Sequence, residues 1–485
     1  MSGANGSSTN GAAPVATAGK APASSSDYGK TASFLAVGVG LTGVITYAYF
    51  LIASHTLSTT DYGQITVLWS AVFITISTLY RPIEQLLSRH ISERMVKGQS
   101  LSEPVRVAST IQFGLSLLFA VLALALRGPI QNSLLEGNET LYWVFFTSVL
   151  FYAASYFARG FLAGKQEFGL FVALILSESC FRTIFAVLVA VSVLSGQSAV
   201  AIGITAAPAL SLLVVPFAFA HRAKQDQREA ADGAASAATL APPPADEAEE
   251  QAFSFRSGGG FAAAVLLIMF SEQAFLNAGP LIIRGLQGAA EAGFIFNVLM
   301  LARAPLQLFQ SVSTSILPHL TSLHTSEEPD SDREFGHTVK MVLLGIVAFT
   351  ALVVVVVLIA GPKCMQIAFG DKFTYDRLGL LLVTFGMGLY LSSVTINQAC
   401  IAQGQVRRAA LRWITCAAIF IAWNFVPIVD NAQRRVEVGF LLSAAVLFLL
   451  LYWVYRHPHA HDGDTPRPGS PEELEARLAI IDENV

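Results

Sequence analysis

Apolar stretches of about twenty residues recur along this chain, and short polar segments separate them. A bilayer core about 30 Å thick needs roughly 20 apolar residues, because an α-helix rises about 1.5 Å per residue. The pattern therefore predicts an all-α polytopic membrane protein with about 12 transmembrane helices. We place these spans at 32–54, 65–87, 105–126, 141–160, 170–193, 198–220, 260–283, 293–316, 338–360, 376–399, 410–427 and 437–456.

A polar break divides the predicted spans into two sets of six. The break holds clustered charges and a low-complexity run, and the first residues of the chain are rich in Ser, Ala, Gly and Thr. Neither segment has enough apolar surface to offset the entropy of folding. The predicted organisation is a disordered cytoplasmic tail at 1–30, an N-lobe at 31–220, a cytoplasmic linker at 221–259, a C-lobe at 260–456 and a cytoplasmic tail at 457–485 with a short helix from Pro471 to about Ile481.

Short glycine motifs recur at matching positions in the two sets of spans. Asp61-Tyr62-Gly63 opens span 2 and Glu291-Ala292-Gly293 opens span 8. A second pair stands after spans 4 and 10, at 162–166 and 402–406. Since six is an even number, both halves enter the membrane from the same side. The sequence therefore predicts a parallel repeat, related by an axis along the membrane normal.

Lys and Arg are distributed unequally between the predicted loops. With the N-terminus inside, about twenty of them fall on the cytoplasmic side and about seven on the other. This positive-inside asymmetry predicts a multi-pass protein of the cell inner (cytoplasmic) membrane with both termini in the cytoplasm.

Composition excludes several classes of function. The chain is 53% hydrophobic and only 13% charged, whereas soluble domains carry about 25% charged residues. A net charge of −4 gives no footprint for nucleic acid. The four cysteines have no paired spacing and fit small apolar fillers, and the histidines of the C-terminal tail fit a solvated segment rather than a metal site. We predict no enzyme, no cofactor and no metal.

Two parallel six-helix halves are the layout of a transporter, because such halves rock about a site near the bilayer midplane. A membrane-embedded enzyme or a scaffold has no special need for this repeat. A glycosyltransferase or ligase would need a large outer loop, and the longest outer segments, 127–140 and 361–375, are too short for that.

Three short motifs resemble one family. They are Leu-x-x-x-Asp-Tyr-Gly before span 2, Arg-Gly-x-x-x-Gly-x-x-x-Phe after span 4 and Ala-x-Gly-x-x-Arg after span 10. Over about residues 30–456 the chain resembles the polysaccharide exporter, or O-antigen-type flippase, branch of the multidrug/oligosaccharidyl-lipid/polysaccharide (MOP) flippase superfamily. The residues that carry the likeness are Leu57, Asp61, Tyr62, Gly63, Arg159, Gly160, Gly164, Phe168, Ala402, Gly404 and Arg407.

The resemblance implies two six-helix lobes in a V shape, with spans 1, 2, 7 and 8 lining a central cavity. It implies a flippase that moves a lipid-linked oligosaccharide or polysaccharide precursor across the membrane by alternating access. The expected partners are the lipid-linked glycan, membrane lipid, a coupling proton or sodium ion and glycan-assembly proteins. A cation-coupled drug or metabolite antiporter of the MATE type shares the twelve-span layout and is the alternative.

Ionisable side chains inside predicted spans are candidates for the site, because they are costly there. Glu272 in span 7 and Arg303 in span 8 both lie near the midplane. They either form a static bridge, or Arg303 binds a substrate diphosphate through its guanidinium fork while Glu272 carries a proton. Arg81 in span 2 either receives an anionic head group or extends to the interface.

Neutral polar side chains complete the candidate site. Asn277, Asn297 and Gln307 either bind sugar hydroxyls or hydrogen-bond between helices. Glu178 and Arg182 are four residues apart on span 5, and we interpret them as a structural ion pair. The predicted substrate-binding residues are Arg81, Arg303, Glu272, Asn277, Asn297 and Gln307.

Overall fold

The computed structural model describes residues 25–96, 98–213, 216, 255–314 and 331–457, and these residues form helices and short connections without a strand. The short helix expected at Pro471–Ile481 and most of the predicted linker lie outside them. Helix α1 begins at Ser25, within the segment 1–30 assigned to a tail, and the first helix of the C-lobe begins at Phe255, within 221–259.

The described residues of the N-lobe form eight α-helices and one π-helical turn. They are α1 (Ser25–Thr56), α2 (Thr59–Leu79), α3 (Arg81–Val96), α4 (Ser102–Ala125), the single turn α5 (Arg127–Pro129) with a π-helical turn (Ile130–Leu134), α6 (Glu139–Gly164), α7 (Phe168–Ala190) and α8 (Gly196–Ser211). The C-lobe contains α9 (Phe255–Leu286), α10 (Ala289–Thr314), α11 (Ser331–Phe369), α12 (Arg377–Ala402), α13 (Val406–Trp423) and α14 (Ala432–Arg456).

Each of the twelve predicted spans contains helix in its described part, and nine helices in the described ranges are long and apolar enough to cross a membrane. The other three predicted spans are α8, α10 and α13. Helix α8 is described over 16 residues only, and α13 carries Arg407, Arg408 and Arg412. Side chains of α10 are described only as far as Arg303. The chain is a multi-pass membrane protein.

Predicted span 2 is broken in the structure. Helix α2 ends at Leu79, Tyr80 has φ −111°, and α3 begins at Arg81. Pro82 accounts for the break, because it has no N–H for a hydrogen bond to the preceding turn. Arg81 is therefore the first residue of α3.

Four helices that begin on the predicted outer side start with a side-chain cap. Ser58, Asn138, Asp376 and Asn431 each accept a hydrogen bond of 3.1 Å from the amide three residues later. Such caps satisfy amides that have no partner within the helix. Asn138 and Asp376 stand at equivalent places in the two halves, before predicted spans 4 and 10.

Helix packing repeats in the two lobes. Helix α1 packs on α7 and, correspondingly, α9 packs on α13; α6 packs on α8 as α12 packs on α14. The lobes meet where α2 lies against α9 and α10 and where α1 lies against α10 and α11. These pairings agree with the parallel repeat, and they place spans 1, 2, 7 and 8 at the centre.

Candidate functional site

The two lobes touch backbone to backbone near the first turns of α2 and α10. A Cβ atom at Gly63 would overlap the carbonyl of Ala289, and one at Gly293 would lie 3.2 Å from the Cα atom of Gly63. Only glycine allows two helices to approach this closely. The two glycine motifs recognised in the sequence therefore meet each other. We call this contact, formed by Gly63, Ala289 and Gly293, the glycine contact.

Polar and aromatic side chains surround the glycine contact. Tyr62 donates a hydrogen bond of 2.5 Å to the Oδ1 atom of Asn297, which is fully buried. The structure thus places the predicted site residue Asn297 between the lobes, on the predicted outer side. The rings of Phe50 and Phe296 pack at 4.7 Å between their centroids and add an apolar contact across the same interface.

A second polar link joins the lobes on this side. Arg284 of α9 lies 3.4 Å from the carboxylate of Glu136, which also accepts a hydrogen bond from Gln64. Lys372 donates to the carbonyl of Leu57. The side chain of Arg284 is only 14% exposed. Arg284 therefore contacts the other lobe.

Three of the predicted site residues lie together deeper in the molecule. Helix α9 ends at Leu286 and α10 begins at Ala289. Glu272 lies as many residues before this connection as Arg303 lies after it. At the rise of an α-helix, both residues are about 21 Å from the connection. The Glu272 carboxylate interacts electrostatically with Arg303 and, across the lobe interface, with Arg81. All three side chains are partly exposed. We call Arg81, Glu272 and Arg303 the central site.

Two tyrosines that were not predicted from the sequence adjoin the central site. Tyr390 of α12 interacts electrostatically with Glu272, Arg303 and Arg81. Tyr156 of α6 adjoins Arg81 from the N-lobe. Both are buried members of apolar helices, so neither periodicity nor charge distinguished them from core aromatics.

The central site continues into the N-lobe as a series of alternating charges. Glu84 interacts with Arg81 and with Arg159, whose guanidinium lies 2.5 Å from Glu178. Glu178 in turn lies 3.9 Å from Arg182. We call these seven residues the charged series; in order they are Arg182, Glu178, Arg159, Glu84, Arg81, Glu272 and Arg303.

The pair Glu178 and Arg182 is more than the intrahelical bridge expected from the sequence. The shorter contact of Glu178 is to Arg159 of α6, and Ser155 also donates to it at 3.2 Å. Arg182 donates to Tyr152, Thr46 and Ser179 and is 2% exposed. Among the described residues the charged series holds four arginines and three glutamates, which leaves one excess positive charge.

Two further predicted site residues are Asn277 and Gln307. Asn277 is 4% exposed and donates at 3.0 Å to Gln273, one turn back in the same helix. Gln307 lies on α10, and its side chain is outside the described part. Across the described ranges no group of three His, Cys, Asp or Glu side chains is placed to hold a metal ion.

Known structures match this architecture, although no protein-family model and no curated protein matches the sequence. An inward-facing multidrug resistance MATE family transporter of the MOP superfamily matches with a TM-score of 0.57 and 11% identity, covering 87% of this chain and 97% of that chain. The eukaryotic MATE transporter AtDTX14 matches with a TM-score of 0.56 and 14% identity, covering 93% and 98%. The MATE multidrug transporter DinF-BH matches with a TM-score of 0.57 and 12% identity, covering 90% and 97%. At these identities the likeness concerns the fold: the chain has the all-helical fold of the MATE transporters of the MOP superfamily.

Proposed function

We propose that this chain is an alternating-access transporter whose central site binds the acidic group of its substrate. The observation that carries the proposal is that guanidiniums from opposite lobes, Arg81 and Arg303, both interact electrostatically with one carboxylate, Glu272. An anion entering between the lobes can replace Glu272 as their partner. The excess positive charge of the charged series supports an anionic ligand, because like charges in a poorly solvated site are costly.

Within this proposal, the first candidate substrate is a lipid-linked oligosaccharide or polysaccharide precursor. Its diphosphate would lie between Arg81 and Arg303, since a guanidinium fork matches phosphate oxygens with two parallel hydrogen bonds. The motif resemblance to the polysaccharide exporter branch supports this candidate. We place the protein in the inner membrane with both termini in the cytoplasm on the distribution of Lys and Arg. Glycan-assembly proteins are the partners that the motif resemblance implies.

The second candidate is a cation-coupled antiporter of a drug or metabolite. The structural comparisons favour it over the lipid-linked glycan, because the matching structures are described as MATE transporters and several as multidrug transporters. In that case the substrate is an organic anion, and Glu272 binds the coupling proton or sodium ion when the anion has taken its arginine partners.

Reconstitution into liposomes tests the proposal. The purified chain is supplied with a fluorescent lipid diphosphate glycan or with a water-soluble organic anion, and movement across the bilayer is measured. Arg303→Lys keeps the charge and loses the bidentate fork, so we expect transport to fall by tenfold or more while membrane abundance is unchanged. Arg303→Ala should reduce transport at least as much.

A double variant separates substrate binding from a static bridge. Removing Glu272 alone leaves the like charges of Arg81 and Arg303 without the carboxylate between them, whereas removing Glu272 and Arg303 together keeps the net charge of the series. Arg303→Met combined with Glu272→Gln should therefore restore abundance if either single change lowers it. We expect this double variant to be abundant and inactive; full transport by it would refute the binding role of Arg303.

A further inference from the structure

Two glycines hold α3 directly on α6. A Cβ atom at Gly160 would lie 2.7 Å from the carbonyl oxygen of Glu84, and one at Gly164 would lie 2.7 Å from the Cβ atom of Ile91. The backbones therefore touch at Glu84. Ser92 adds a hydrogen bond of 3.0 Å to the carbonyl of Gly164. This contact fixes the position of Glu84, and with it the first turn of α3, relative to α6.

Arg159 precedes the first of these glycines in α6. Its guanidinium contacts Glu178 at 2.5 Å, and both side chains are well buried, at 14% and 5% exposure. The Arg159 guanidinium also lies 4.8 Å from the ring centroid of Tyr156 and interacts electrostatically with Glu84. Arg159 is thus anchored on one side and attracts Glu84 on the other.

Arg81 faces two carboxylates that compete for it. Glu272 belongs to the other lobe, whereas Glu84 lies three residues further along α3, which is a favourable spacing for an ion pair on one helix face. A pair formed with Glu84 would neutralise Arg81 within the N-lobe. Attraction of Glu84 by Arg159 opposes that pairing, so the charge of Arg81 remains directed at the other lobe.

We propose that Arg159 is a positioning residue for the central site: it holds Glu84 and thereby leaves Arg81 available to an anionic phosphate group between the lobes. The inference rests on the proposed function, since it needs an anion at Arg81 and Arg303. It gives the Arg159-Gly160-x-x-x-Gly164 motif one combined role. The two glycines bring the backbone of Glu84 against α6, and Arg159 attracts the carboxylate of Glu84 away from Arg81.

Removing the charge of Arg159 and removing the charge of Glu84 should then change ligand affinity in opposite directions. Without Arg159, Glu84 turns to Arg81 and competes with the ligand, so affinity falls. Without the charge of Glu84, Arg81 loses its competitor inside the lobe, so affinity rises. A purely structural role predicts that both changes lower affinity, because both disrupt a buried contact.

The experiment measures binding of inorganic pyrophosphate to the purified full-length chain in detergent by calorimetry. We expect Arg159→Gln to weaken binding about three- to tenfold and Glu84→Gln to strengthen it about threefold, which is the scale of charge interactions over several ångströms in a partly screened site. The double variant should resemble Glu84→Gln rather than Arg159→Gln, because Arg159 acts on the ligand site through Glu84. Arg159→Lys, which keeps the charge, should retain most of the affinity.

Glu93→Gln is the matched control, since it removes one negative charge from the same helix at a side chain that is 45% exposed. It should leave affinity unchanged. Weaker binding or no change in Glu84→Gln would overturn the inference, and this variant keeps the test valid if Arg159→Gln does not fold. Arg303→Ala reports separately on the proposed function: if that variant binds pyrophosphate as the parent does, the central site itself is wrong.

Discussion

The carboxylate of Asp376 connects two elements of the C-lobe. It accepts a hydrogen bond of 3.1 Å from the amide of Gly379, as the cap of α12, and lies 2.8 Å from the guanidinium of Arg434 on α14. Partial burial raises the pKa of Asp376, but the hydrogen bonds from Arg434 and Gly379 outweigh it, so the pKa lies below its usual value. The ionised form therefore stabilises the folded state.

The depressed pKa of Asp376 has a predictable pH dependence. The stabilisation is present above the unfolded pKa of about 3.9 and is lost as pH falls through the lower folded value. Asp376→Asn keeps a good capping residue and removes the charge. We expect the melting temperature of the parent, measured in detergent, to fall more steeply than that of the variant below about pH 4. Equal dependence of the two melting temperatures on pH would refute the assignment.

At pH 7 the free energy of unfolding of the variant should be lower by less than about 1 kcal/mol, because the Asp376 side chain is 53% exposed.

Single residues also show how far the sequence could predict the site. Arg81, Glu272 and Arg303 were found because a charge inside a span is costly, and the structure brings them together. The contact of Asn297 could not be found, since its partner Tyr62 is far away in the chain and amides in spans bond in many ways. Tyr390 carried no signal at all, because an aromatic residue in an apolar helix is ordinarily part of a core.

At the scale of helices, the contact between α3 and α6 depends on the absence of a side chain at Gly160. A Cβ atom there meets backbone atoms of Glu84, which cannot move aside as a flexible side chain would. We expect Gly160→Ala to destabilise the protein by about 1–3 kcal/mol, as overpacking generally does. Thermal unfolding in detergent measures this effect.

Gly114 of α4 offers the control, because a Cβ atom there meets nothing within 4 Å. Gly114→Ala should be neutral or stabilising by up to about 1 kcal/mol, through the lower entropy of the unfolded chain and better helix propensity. If both alanine variants melted alike, the close packing of α3 on α6 would not matter for stability.

Helices were predictable where hydrophobic runs and caps both marked them. All twelve predicted spans contain helix, and Asn138 and Asp376 cap equivalent helices of the two lobes. The break at Tyr80 was not predicted from Pro82. A proline in the first turn of a helix and a proline that interrupts a helix give the same sequence pattern. The packing of α3 on α6 shows that α3 is a separate helix here.

At the scale of the whole molecule, orientation in the membrane is a separate prediction. The unequal distribution of Lys and Arg places residues 221–259 and both termini in the cytoplasm. Reporter fusions after Ala237 and Asp464 should both report a cytoplasmic position. Opposite signals from the two fusions would contradict an even number of spans in the C-lobe.

The pair Arg284 and Glu136 should hold the lobes together on the predicted outer side. Glu136→Arg brings two guanidiniums face to face and should open this side. With the four native cysteines replaced, Ala292→Cys reports opening, because Ala292 is fully buried at the lobe contact. We expect a membrane-impermeant maleimide to label it several-fold faster in the Glu136→Arg background.

The reversed pair provides the control for this experiment. Glu136→Arg combined with Arg284→Glu restores opposite charges and should return labelling to the parent rate. Fast labelling in the double variant would show that the geometry of these side chains, rather than their charge, closes the outer side.

The glycine contact also acts as a fulcrum while it persists. It lies about 6 Å below the α9–α10 connection at Gly293, whereas Glu272 and Arg303 lie about 21 Å below it, so the lever arm is about 15 Å. Rotation of one lobe by about 15°, a common rigid-body amplitude, moves Glu272 by about 4 Å relative to Arg81. A small rotation about the glycine contact near one surface thus weakens the attraction between Glu272 and Arg81 far from it. Under the proposed function, an anion would exchange with Glu272 before any contact around the fulcrum is broken.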